Sequence, residues 1–191
     1  MKENSTFILI LLISALFFIP AVTGATEVGS VHVRINNNEI YVAASLKPDP
    51  KVTEDITAGL SKEFAFYIDL FRVWNIWPDE FVTGKKIVKV LSCDPIKREY
   101  TAENIEGNIH TVKRFRDADA MVSWATNLPE IRLAGTKELE PGTYFVKVTA
   151  ESLLKKLPPV IGYLLFFVPE KEFTVSRDSS RFPVNNSQNG R

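Results

Sequence analysis

His32, His110 and Cys93 are the whole imidazole and thiol inventory of this 191-residue chain. A zinc site takes three or four such ligands at characteristic spacings, and none of those spacings occurs here. No resident metal is therefore expected; two strand histidines and a buried thiol are the plain reading. Asp117-Ala118-Asp119 could touch calcium, but the further acidic positions and closing glutamate of an EF-hand loop are missing. Asp117 reads better as a helix cap. Nucleophilic catalysis lacks parts as well. There is no Gly-x-Ser-x-Gly elbow, and Cys93 sits in Ser92-Cys93-Asp94-Pro95 without a neighbouring base. Such a cysteine is most simply a small buried hydrophobe. Thr83-Gly84-Lys85-Lys86 has the ending of a phosphate loop, yet Asp79 stands where the upstream glycine belongs, so the segment reads as a turn between strands. The carboxylate pairs Asp79/Glu80 and Glu138/Glu140 read as solvated surface, and no acid–base couple stands out. No cofactor is implied, and an enzyme is not expected. A hydrolase would need two carboxylates facing each other across a deep pocket.

Two segments rise above this background. Phe71-Arg72-Val73-Trp74-Asn75-Ile76-Trp77-Pro78-Asp79-Glu80 gathers two of the three tryptophans at what looks like a strand end. Tryptophan and arginine together mark binding hot spots and lipid- or carbohydrate-facing surfaces, which makes Arg72, Trp74, Trp77, Asp79 and Glu80 a candidate binding surface. The commoner fate of two such indoles is to plug one end of a core. Strict alternation from an inward Phe64 would send Trp74 inward and Trp77 outward. The second segment, Leu157-Pro158-Pro159-Val160 through Val168-Pro169, is too short to span a bilayer. It is either a strand buried on both faces or an apolar docking surface for lipid or a partner, with Val160, Ile161, Tyr163, Leu164 and Phe166 the candidates.

What must position these groups is a single domain. Apolar residues make 45% of the chain and charged residues 24%, the composition of an ordinary folded protein. Twenty-three basic residues balance 23 acidic ones, so no global field favours nucleic acid. The chain opens with Lys2, then an uncharged run over residues 7–19, Pro20, and small residues up to Ala25. A short apolar core followed by small residues is a secretory signal, with cleavage expected after Gly24. The protein is thus expected to be exported, most simply to the periplasm. An uncleaved N-terminal membrane anchor is the alternative, since Glu3 weakens the positive start. Residues 25–182 are expected to form one β-rich domain and 183–191 a polar, disordered tail.

Within that domain, Val31, Val33 and Ile35 alternate with polar residues, and Ile40, Val42, Ala44 and Leu46 do so again after Asn36-Asn37-Asn38, predicting a hairpin over 30–46. Asp49-Pro50 predicts a helix start, with Val52, Ile56 and Leu60 on one face. Phe64, Phe66, Ile68 and Leu70 form the inward face of a long aromatic strand. Extended runs follow at 85–92, 96–103 and 108–115. Asp117 then caps a second short helix carrying Met121, Trp124 and Ala125, which Asn127 and Pro129 end. Runs at 130–138 and 143–151 flank Glu140-Pro141-Gly142-Thr143, a type II turn signal, and the second buries Tyr144, Val146, Val148 and Ala150. Residues 172–177 could close the fold. Eight or so strands with two small helices predict a mainly β fold: an antiparallel β-sandwich or open barrel, immunoglobulin-like in general architecture.

Gly59-Leu60, Phe71-Arg72-Val73-Trp74, Trp77-Pro78-Asp79-Glu80, Arg98-Glu99-Tyr100, Gly142-Thr143-Tyr144-Phe145-Val146-Lys147-Val148 and Leu157-Pro158-Pro159 together resemble one family. It is the domain-of-unknown-function family numbered 4390, and the likeness spans roughly residues 30–182. The resemblance implies a bacterial exported protein and brings no catalytic residues to carry over. By analogy it also implies a link to membrane signalling proteins. The expected function is a non-enzymatic envelope binding or interaction domain, partnering a membrane or envelope protein. A carrier or chaperone holding a lipid acyl chain between its sheets is the alternative.

Overall fold

The computed structural model describes residues 26–155 and 170–185. In chain order the elements are β1 (Glu27–Asn36), β2 (Glu39–Lys47), α1 (Lys51–Thr57), β3 (Ser61–Arg72), β4 (Glu80–Asp94), β5 (Glu99–Glu106) and β6 (Ile109–Phe115), followed by α2 (Ala118–Thr126) and β7 (Asn127–Gly135). After a 3-10 turn at Thr136–Glu138 come β8 (Gly142–Lys155), β9 (Glu170–Asp178) and β10 (Phe182–Val184). Every pairing is antiparallel. One sheet has the order β1-β2-β7; the larger runs β10-β8-β3-β4-β5-β6, with β9 also paired to β8. The two sheets pack as an open sandwich, and the likeness to immunoglobulin domains holds at that general level.

The first hairpin forms where the asparagines place it. Asn37 and Asn38 take positive φ values of 50° and 61°, the conformation that a two-residue hairpin turn requires and that asparagine tolerates. Helix α1 begins at Lys51, whose N–H donates to Asp49 Oδ1 at 2.8 Å, so the aspartate caps as expected. Helix α2 is capped by Asp117 Oδ1, which accepts from Ala120 N at 2.7 Å. Both helices pack on the inner face of the large sheet, α1 over β3 and β4, α2 over β4, β5 and β6.

The core lies between the sheets. Phe64, Phe66, Ile68 and Leu70 of β3 and Tyr144, Val146, Val148 and Ala150 of β8 are fully buried beside one another, facing Ile40, Val42 and Leu128 of the small sheet. Each large apolar side chain so buried contributes roughly 1.5–3 kcal/mol.

Three expectations need correction. Residues 83–86 lie inside β4 and form no turn: Gly84 pairs with Asp69 of β3. Gly142 lacks the positive φ of a type II turn, and β7 and β8 are in different sheets, so Pro141-Gly142 is a crossover between layers. The expected tail also starts too early. Strand β10 pairs with the first residues of β8 and buries Val184, because that strand end offers free backbone partners. Among the described residues no helix is long and apolar enough to cross a membrane; the expected leader, residues 1–24, lies outside them.

Candidate functional site

The aromatic cluster sits where β3 runs out. Alternation along β3 places Phe71 on the outer face and Arg72 toward the inner layer, opposite Tyr144. Beyond Arg72 the strand stops, and residues 73–79 cross to β4. That end of regular pairing is why the indoles are not in the core, as alternation would have placed Trp74. Trp74 is 42% exposed and Trp77 75%, with Ile76 between them at 88% and Phe81 beyond at 58%.

Arg72 organises the loop. Its guanidinium pairs with the Glu140 carboxylate through Nη1, and Nη2 donates to the Pro141 carbonyl at 3.2 Å. Above it lies the Trp74 ring, 4.5 Å from centroid to Cζ, a cation–π contact. The hydrogen bond with Glu140 holds the Arg72 pKa above its ordinary value, so the charge is permanent. Trp74 is fixed further. Its indole Nε1 donates to Glu80 Oε2 at 3.2 Å, and its backbone N–H to Asp79 Oδ1 at 3.3 Å. Val73 N–H donates to Thr143 O at 2.8 Å, tying the loop root to β8. Tyr144 donates its hydroxyl to Glu140 O at 2.6 Å, bracing the segment that carries Arg72's partner. A side chain at position 142 would put its Cβ 3.1 Å from Arg72 Nε, a close approach that glycine relieves.

Of the five residues singled out by sequence, the structure brings four together: Asp79 and Glu80 hydrogen-bond Trp74, and Arg72 meets its ring through the cation–π contact. Asp79 and Glu80 serve as holders of Trp74. Trp77 is the side chain left presented to solvent. Sequence reasoning left Glu140, 68 positions from its partner Arg72, among the solvated surface carboxylates. It also passed over Ile76, whose place between two tryptophans was the available signal. Behind the loop, Phe145, Phe71 and Phe81 form a cross-strand row on the outer face, with Phe71 and Phe145 stacked at 5.3 Å and Phe71 and Phe81 edge-on at 5.9 Å. This row stiffens the floor under the loop.

Val160, Ile161, Tyr163, Leu164 and Phe166 lie outside the described residues. Their segment leaves β8 after Lys155, opposite Ser61, whereas the tryptophan loop begins at Arg72, opposite Tyr144. Twelve strand residues separate those ends, about 36 Å at strand rise.

Two lysines, Lys62 and Lys89, are buried. Lys62 Nζ bridges Asp55 Oδ2 at 2.7 Å and Glu172 Oε1 at 2.5 Å, while Ser152 Oγ donates to Glu172 Oε2 at 2.7 Å. Burial alone would lower this amine, but the two carboxylates outweigh it and raise its pKa. Held as a cation, Lys62 is a structural tie among α1, β3, β8 and β9, on the wall of a shallow cavity of about 360 Å³. Lys89 faces the opposite situation. Desolvation pushes its pKa down to about 8, and Nζ donates to Trp124 O at 3.0 Å and Asn127 O at 2.8 Å. It satisfies carbonyls at the end of α2. His32 lies on β1, His110 on β6 bonded to Glu103 at 3.0 Å, and Cys93 on β4 against the core. The fold does not gather these three.

No curated protein and no solved structure matches the chain. One family model does, over residues 24–180, a span that takes in the Arg72–Trp77 loop, its Glu140 brace and both sheets. The chain belongs to the domain-of-unknown-function family DUF4390.

Proposed function

We propose that the protein is a non-enzymatic interaction domain of the bacterial envelope, exported to the periplasm, and that the loop over residues 73–81 is the face with which it holds a membrane or envelope protein partner, a signalling protein being the kind in view. The observation that carries this reading is the exposure of Ile76 and Trp77 on a loop pinned by Arg72, Glu80 and Glu140. A flexible loop would lose rotamer and backbone freedom on docking; a braced one has already lost it, so more of the contact energy appears as affinity. A large indole beside an aliphatic side chain is the type of anchor that dominates protein interfaces. Leaving such apolar surface in water costs roughly 25 cal/mol per Å², which burial against a partner recovers.

The test is Trp77→Ala, with a photo-crosslinking residue at position 76 in cells expressing the full chain. The expected result is a defined envelope-protein adduct that Trp77→Ala removes while the melting temperature stays within a few degrees of wild type. A variant that unfolds would return Trp77 to a structural role. An adduct indifferent to Trp77 would take that side chain out of the contact, and no adduct at all would move the contact to another face. Fractionation of the same cells, with mass measurement of the mature N-terminus, checks export and cleavage.

A further inference from the structure

The outer edge of β6 is the second feature of this surface that calls for a partner. Strand β6 pairs with β5 along its whole length, Glu106↔Ile109 to Tyr100↔Phe115, without a register shift, and among the described residues nothing pairs with its other side. The other edges are blunted. Strand β1 lies against β9, where Arg177 Nη1 donates to Val28 O at 3.0 Å. Strand β7 carries Pro129 and two register shifts, and β10 is three residues long with Pro183 in its middle. An unprotected regular edge is a template for another strand, and proteins that do not use one usually disrupt it.

The side chains along β6 indicate which strand it would take. Ile109 and Val112 are each more than half exposed, on opposite faces. Beside the first, an open groove of about 650 Å³ has Val88, Ile105 and Ile109 as its apolar lining and Lys85, Lys86 and Glu106 at its rim, room for an apolar side chain of an added strand. The far half is basic. Lys113 lies over the Phe115 and Trp124 rings at 5.2 and 5.7 Å, while Arg114 and Arg116 are exposed. Of the carboxylates around it, Glu103 holds His110, Glu106 holds Lys85 and Asp117 caps α2, while Glu99 is exposed at the start of β5. Two copies edge to edge in antiparallel would set the basic half of each strand against the Ile109 half of the other, and β6 itself carries no carboxylate to offer those cations. An acidic strand meets the opposite condition.

We propose that β6 is a β-augmentation edge for an extended acidic peptide segment, which adds as an eighth strand to the seven-stranded sheet. Main-chain hydrogen bonds would supply affinity; the groove and the Lys113/Arg114/Arg116 cluster would select apolar and acidic side chains.

The experiment is an amide NMR titration of the purified protein with a peptide of about eight alternating glutamate and valine residues, against the lysine–valine counterpart. The acidic peptide should shift β6 amides and slow exchange of the outward-pointing ones, more weakly as salt is raised. Arg114→Glu with Arg116→Glu should weaken binding about tenfold. These side chains are exposed, so the fold is kept. In an antiparallel strand, one of Thr111 and Val112 aims its N–H at solvent, and proline there leaves the β5–β6 ladder whole while blocking augmentation. Equal response to both peptides, no response at millimolar peptide, or β6 protection that grows with protein concentration alone would overturn the proposal, the last by showing the edge closed by a second copy.

Discussion

Lys89 offers a stringent check on the packing, because its burial makes a signed, pH-dependent prediction. The side chain is 3% exposed and its pKa stands at about 8, against 10.5 for an ordinary lysine. Below pH 8 the group is charged in both the folded and the unfolded chain, and the folded state bears its full desolvation cost, about 3 kcal/mol. Between about pH 8 and 10.5 the folded amine is neutral while the unfolded one still binds a proton. The unfolded state then holds more protons, so stability rises with pH through this window. Lys89→Met keeps most of the volume and removes the titration. It also removes two donors to the Trp124 and Asn127 carbonyls, a loss of about 1 kcal/mol each. Near pH 7 the lost bonds and the relieved desolvation offset one another, and the variant should lie close to wild type. By about pH 9.5 the wild type should have gained roughly 2 kcal/mol on the variant. The measurement is urea denaturation of both proteins at these two pH values. With a slope near 2 kcal/mol/M, the gap between midpoints should widen by about 1 M. Other titrating groups cancel in the difference. Midpoints that stay equally separated across the range would refute the burial of a cationic amine at this position.

Three further outcomes follow from the same contacts. Gly84→Ala would place a Cβ 2.2 Å from Asp69 Oδ1 and should lower stability by about 1–3 kcal/mol in a thermal melt, with Asp69→Ala in the same chain recovering most of the loss. Lys62→Met strands Asp55 and Glu172 without their cation; because both carboxylates keep some access to water, the cost should be about 2–3 kcal/mol by denaturation, below that of a sealed ion pair. Trp74→Ala removes the cation–π contact and the bond to Glu80, so it should cost about 1 kcal/mol and speed amide exchange over residues 75–79, while the β3–β8 ladder stays protected.

The sheet was legible because its signal is local. Alternation in Phe64–Leu70 and Tyr144–Ala150 places those side chains on a buried face wherever the strands sit, and the paired asparagines predict their own hairpin turn. The candidate site was half legible. Arg72, Trp74, Trp77, Asp79 and Glu80 were identified by type and nearness in sequence, yet their division of labour was hidden. Alternation could not reveal that β3 ends at Arg72, because the end is set by where β4 stops offering partners, at Glu80. The 83–86 misreading has a similar source: a Thr-Gly-Lys-Lys string looks like a turn until pairing with β3 sets Gly84 opposite Asp69.

Sequence alone, then, determined the class of fold, the chain's family and the absence of a familiar catalytic motif, since composition, period and motif are properties of neighbouring residues. Tertiary structure decided the rest: which sheet each strand joined, that Glu140 reaches Arg72, that Trp77 faces water, and that β6 is left as an open edge. These depend on contacts between residues far apart in the chain, whose energies exist only once the backbone has brought them within a few ångströms.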